Sequence, residues 1–121
     1  MAEEEKSKYN EASFQIFRLH ELHLKIEDAL SNPNITNKMN KYNFLCDSLW
    51  RELSADVYKQ SPKKAKKKEL KNALYIKKFY VAKTDSERYK VLNERHIFLK
   101  RLQEEVGKGG VYSDGREDNF D

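Results

Sequence analysis

The chain is predicted to be all-α, a four-helix bundle or a pair of helical hairpins with coiled-coil-like packing. Three observations lead there. Four segments repeat apolar residues at steps of three and four, the spacing of one helix face. Helix start and stop signals separate those segments. Four glycines and two prolines in 121 residues are too few for the many turns of an all-β fold. This length fits one domain. A helical domain is expected over 10–106, between a flexible acidic stretch at 1–9 and a flexible acidic tail at 107–121.

The first helix is expected over 10–30. Ala12, Ile16, Leu19, His23, Ile26 and Leu30 step by four and three and so share one face. Phe14, Phe17 and Leu24 lie on the opposite side, which makes this helix apolar on two faces. Pro33 cannot continue the hydrogen-bond ladder and ends it. The second helix is expected over 36–59. Ile35, Met39, Tyr42, Cys46, Leu49 and Leu53 form its stripe, widened by Phe44, Leu45, Trp50 and Val57.

Ser61 and Pro62 suit the N-cap and first position of a third helix, expected over 62–83. Leu70, Ala73, Leu74, Ile76, Tyr80 and Val81 are its expected apolar side. The fourth helix is expected over 85–106. Thr84-Asp85-Ser86-Glu87 has the capping-box pattern, in which Thr84 accepts from the Glu87 amide while Glu87 reaches back. Tyr89, Leu92, His96, Leu99, Leu102 and Val106 make its stripe, and Gly107 is its expected stop. Short connections favour antiparallel neighbours.

Charged residues make up 36% of the chain and the net charge is +4. The charge is uneven: −3 over 1–30, +1 over 31–60, +8 over 61–90 and −2 over 91–121. The positive field is therefore local. Cys46 is the single cysteine, so no intrachain disulfide forms and an intracellular, reducing compartment is expected. No apolar run approaches the ~18 residues of a membrane span, and the acidic start is not a secretory signal. No membrane partner is expected.

The sharpest local feature is the basic run Lys63, Lys64, Lys66, Lys67 and Lys68, continued by Lys71. It sits at a helix N-terminus, where the helix dipole is already positive and cations are mildly unfavourable. A charge pattern that opposes local stability suits neutralising phosphates or an acidic protein surface. Ser61-Pro62-Lys63-Lys64 resembles the short DNA-contacting repeats of linker-histone tails. Residues 62–68 resemble a single-part nuclear localisation signal, which would imply a nuclear address in a eukaryotic setting. The mixture of Lys, Asn, Tyr and long helices is similar to that of small accessory proteins of viruses and phages, although no motif carries the likeness.

His20, His23 and Glu27 are spaced to share a helix edge, but a metal needs three or four converging ligands and no second motif supplies them. No metal or cofactor is expected. Cys46 falls among apolar residues, as a core thiol does. Gly107-Lys108-Gly109-Gly110 lacks phosphate-loop spacing. No carboxylate pair stands out as an acid–base couple, so no catalytic residue is named and the chain is expected not to be an enzyme. The functional expectation is a small assembly or adaptor protein. It would self-associate, or dock on a protein partner, through Phe14, Phe17 and Leu24, with Trp50 as a further candidate anchor. The alternative is a nucleic-acid-associated protein that uses the lysine run.

Overall fold

A computed structural model of the chain describes the backbone of residues 2–107 and the side chains of residues 12–107. It contains α1 (Ala2–Asp28), α2 (Ile35–Gln60), α3 (Pro62–Val81) and α4 (Asp85–Gly107), with no strand among the described residues. The all-α, four-helix expectation holds. Residues 108–121, expected as an acidic tail, lie outside the described residues.

The helix ends follow local chemistry. α1 begins at Ala2 rather than near Asn10, so residues 2–9, expected as a flexible lead-in, continue the helix. The run Ala2-Glu3-Glu4-Glu5-Lys6 consists of good helix formers, with acids where the dipole favours them. α1 stops at Asp28, two residues before the expected Leu30. Residues 29–34 then turn through Ala29 N–H to Ile26 O at 3.0 Å and Asn32 N–H to Ala29 O at 2.8 Å. Leu30 therefore leaves the inner stripe and is exposed. Ser61 alone joins α2 to α3. Its hydroxyl accepts from the Lys64 amide at 3.4 Å, and Pro62 takes the first helical position. At α4, Thr84 Oγ1 accepts from the Glu87 amide at 3.1 Å, while the Glu87 carboxylate accepts from the Lys83 amide at 3.2 Å.

Side-chain pairings fix the topology. α2 and α4 run parallel and form the central pair: Asp47 meets Arg95, Trp50 stacks on Phe98, and Gln60 donates to the Val106 carbonyl. α1 runs antiparallel to α4, with Ser13 against Gln103 and His23 against Tyr89. α3 also runs antiparallel to α4, with Lys68 against Glu105 and Asn72 against Arg95. α1 and α3 each pack on both members of the central pair, from opposite sides. The result is an up-down-up-down bundle with α2 and α4 across its short diagonal.

The core is one cluster, built chiefly from Tyr42, Cys46, Leu49, Leu53 and Val57 of α2 and Leu92, Leu99, Leu102 and Val106 of α4. α1 adds Ala12, Leu19 and Ile26. Each large apolar side chain buried here contributes about 1.5–3 kcal/mol. Two expectations fail. Phe44, expected to widen the α2 stripe, points outward, because it lies about half a turn from Tyr42 at ~100° per residue. The larger correction concerns α3. Leu70, Leu74, Tyr80 and Val81 are exposed, and the buried seam is Ala65, Lys68, Asn72 and Phe79, with Tyr75 half-buried between the last two.

Candidate interaction surfaces and the buried polar layer

The reason for the α3 orientation lies in α4. Arg95 is 1% exposed, and such a guanidinium needs partners for its N–H groups. It donates from Nε to Asn72 Oδ1 at 3.0 Å, from Nη1 to Asn43 Oδ1 at 3.1 Å and from Nη2 to Asp47 Oδ1 at 2.7 Å. Three helices thus meet on one side chain. Turning α3 to bury Leu70 and Leu74 would withdraw Asn72 from Arg95. It would also expose Phe79 and Tyr75, so apolar area would be exchanged rather than gained.

Sequence reasoning missed this layer because charged residues were excluded from the stripe. The signal was present: Arg95 sits three residues after Leu92 and four before Leu99, an inward position of α4. Asn72 sits seven residues from both Ala65 and Phe79, which places it inward on α3.

A second polar group lies nearer the α1–α2 end. The Tyr42 hydroxyl shares a hydrogen bond with His96 Nδ1 at 2.9 Å and lies 3.5 Å from His23 Nδ1. Tyr89 stacks on His23, and its hydroxyl donates to Glu27 Oε2 at 3.4 Å. His20 meets the edge of His96 with ring centres 6.3 Å apart. Burial lowers the His96 pKa to about 4, helped by His23, His20 and Lys100. Burial likewise lowers that of His23, opposed by Glu27. His96 Nε2 is buried without a hydrogen-bond partner among the described residues. His96 is therefore held neutral at physiological pH. No cluster of three or more His, Cys, Asp or Glu among the described residues is arranged to hold a metal. Cys46 is fully buried, and burial pushes its thiol up to about 12, so it is a neutral packing group at physiological pH.

The outer surfaces sort the remaining candidates. Phe14, Phe17 and Leu24 are 59%, 57% and 49% exposed, on the side of α1 away from Leu19 and Ile26. Arg18 covers part of the Phe14 ring, its guanidinium carbon 5.8 Å from the ring centre. Trp50 is half-buried and stacked on Phe98 at 6.2 Å, so it packs within the bundle and stands apart from the α1 group.

The lysine run is divided by the helix. Lys63, Lys66 and Lys67 are exposed and Lys64 is half-exposed. Lys68 is buried and reaches Glu105 Oε2 at 3.7 Å. The Lys71 amine lies 5.7 Å from the centre of the Phe98 ring. A shallow open groove lies along α3, lined by Leu70, Leu74 and Tyr75 with Lys67, Lys71 and Lys78 around them and Glu94 of α4 at its edge. Leu70 is 72% exposed and Leu74 49%. No helix among the described residues is long and apolar enough to cross a membrane. Comparison of the chain with protein-family models, with curated proteins and with solved structures gives no match.

Proposed function

We propose that the chain is a small non-enzymatic assembly protein that associates with itself through the outer face of α1. The observation that carries this reading is the exposure of Phe14, Phe17 and Leu24 on a helix whose inner face already fills the core. An isolated bundle needs one apolar stripe per helix, and a second stripe left in water is typical of interaction sites. These three side chains are already about half buried, so covering the rest contributes about 2–5 kcal/mol per copy. Association costs about 4–15 kcal/mol in lost freedom. The balance supports reversible assembly rather than an obligate oligomer.

Light scattering coupled to size exclusion, over a range of concentrations, tests the proposal. The mass is expected to rise with concentration, and Phe17→Asp is expected to hold the chain as a monomer. That substitution lies on the surface, so stability is expected to stay within about 0.5 kcal/mol of the parent. A parent chain that remains monomeric throughout, or one whose association Phe17→Asp leaves intact, overturns the reading.

A second reading is favoured by Lys63, Lys66 and Lys67, which are all exposed at one helix start: contact with nucleic-acid phosphates. It predicts binding to DNA that weakens steeply as salt rises. Filter binding at two salt concentrations checks it, and absence of binding at the lower one removes it.

A further inference from the structure

We infer that the α1 face of one copy docks on the outer face of α3 of the next, giving an open head-to-tail chain. The inference rests on the proposed association through α1 and names what covers that face.

Four observations converge on this pairing. First, α3 carries an outward seam in four–three alternation: Lys63, Lys67, Leu70, Leu74, Lys77 and Val81. All six are exposed, and its apolar members Leu70, Leu74 and Val81 lie outside the inner seam that runs through Asn72 and Phe79. Second, α1 carries the matching outward seam Phe14, Phe17, Glu21, Leu24 and Asp28, also exposed. Each seam has three large apolar residues with charges between or beside them. Sustained three–four spacing on both is the pattern by which helices of separate chains pair.

Third, the charges are opposite. α1 bears four basic and seven acidic residues, net −3, whereas α3 bears eight lysines and one glutamate, net +7. An α3–α3 contact would oppose like charges strongly, whereas the exposed charges flanking Phe17 and Leu24 on α1 are mixed, with Arg18 and Lys25 beside Glu21 and Asp28. An α1–α3 contact sets Glu21 and Asp28 against the lysine-rich frame of Leu70 and Leu74. The leucines and Val81 between the lysines also favour a protein over a phosphate backbone as the occupant. Fourth, α1 and α3 lie on opposite sides of the α2–α4 pair, so one molecule cannot bring its own two seams together. A contact between two different faces is heterologous. With the faces on opposite sides two copies cannot close on each other, so the contact propagates beyond a dimer.

The pairing is tested by complementation. Phe17→Asp spoils the α1 face and leaves α3 intact; Leu70→Asp does the reverse. Both sites are exposed, and circular dichroism verifies that each variant is folded. The parent chain is expected to pass beyond a dimer as concentration rises. Each variant alone is expected to associate at least about tenfold more weakly. An equimolar mixture of the two is expected to form a one-to-one dimer and nothing larger, because one sound contact remains. If Leu70→Asp assembles like the parent while Phe17→Asp does not, α1 meets something other than α3; the inference is overturned and the α1 reading stands. If Phe17→Asp assembles like the parent, the α1 reading falls and the inference with it. If changing Lys63, Lys66 and Lys77 to Gln abolishes binding to a short DNA duplex but leaves assembly unchanged, the α3 face is a nucleic-acid surface and the inference is overturned.

Discussion

Arg95 and His96 are neighbours in sequence and solve burial in different ways. Around the planar group of Arg95, three hydrogen-bond partners, one of them the Asp47 carboxylate, replace water. A lysine carries the same charge but cannot present three divergent N–H groups in that plane. Arg95→Lys is therefore expected to strand Asn43 or Asn72 and cost about 2–4 kcal/mol, close to the penalty of breaking a buried pair. Urea unfolding followed by circular dichroism measures it, and a loss within about 0.5 kcal/mol of zero contradicts the account. His96 instead stays neutral. Its pKa is about 4 in the folded chain against 6.5 when exposed. The unfolded chain therefore takes up the proton first as pH falls. Stability is full above about pH 6.5, declines as pH drops toward 4 and levels off below. Between about pH 7 and about pH 5 the expected loss is about 2 kcal/mol from this group. His23 pushes in the same direction, and the charged neighbours are Glu27 and Lys100. His96→Asn keeps a polar atom near Tyr42 and removes the titration. Its stability is expected to fall about 2 kcal/mol less than the parent's over that pH interval; an equal fall in both chains refutes the assignment.

Which features of an element were legible in sequence depended on what the element buries. The main stripe of α2 was legible, Phe44 apart: Met39, Tyr42, Cys46, Leu49 and Leu53 recur at three–four steps, and all are buried. The starts of α3 and α4 were legible too, because Ser61, Pro62 and the Thr84–Glu87 box act locally, within a few residues of backbone. α3 was misread because hydropathy assumes that the inward face is the apolar one. Here the inward face must supply Asn72 to Arg95 and Lys68 to Glu105, and those partners belong to α4, more than twenty residues away in sequence. No pattern within α3 records them. The candidate surface on α1 was legible for the opposite reason. Phe14, Phe17 and Leu24 are surplus to one stripe, and surplus can be counted from a single helix. The lysine run was legible as a charge but not as a face: the three-residue step from Ala65 to Lys68 turns one lysine inward while Lys63 and Lys66 remain outside.

At the scale of the whole molecule, the parallel α2–α4 pair acts as the spine on which the other two helices are laid. α2 and α4 contribute most of the fully buried residues, whereas α3 contributes Ala65, Lys68, Asn72 and Phe79. Two of those four are polar, so α3 is held in part by the Asn72 hydrogen bond and the Lys68–Glu105 pair, beside the packing of Phe79 and the Tyr75–Phe98 ring contact. Local opening free energies track the apolar surface that an element buries. α3 is therefore expected to open at lower free energy than the spine, and the spine to exchange only with global unfolding. Native-state hydrogen exchange measures this directly: amides around Leu49 and Leu99 are expected to be protected to the full unfolding free energy, and amides around Leu70 and Leu74 to exchange at least about tenfold faster, equivalent to about 1.4 kcal/mol. The same experiment under assembling conditions connects this to the α1–α3 contact, because covering Leu70 and Leu74 would slow α3 and covering Phe17 and Leu24 would slow α1. Equal protection of α3 and α2 in the monomer would mean that the Arg95 layer binds α3 as firmly as apolar packing binds the spine, and the division into spine and laid-on helices would not stand.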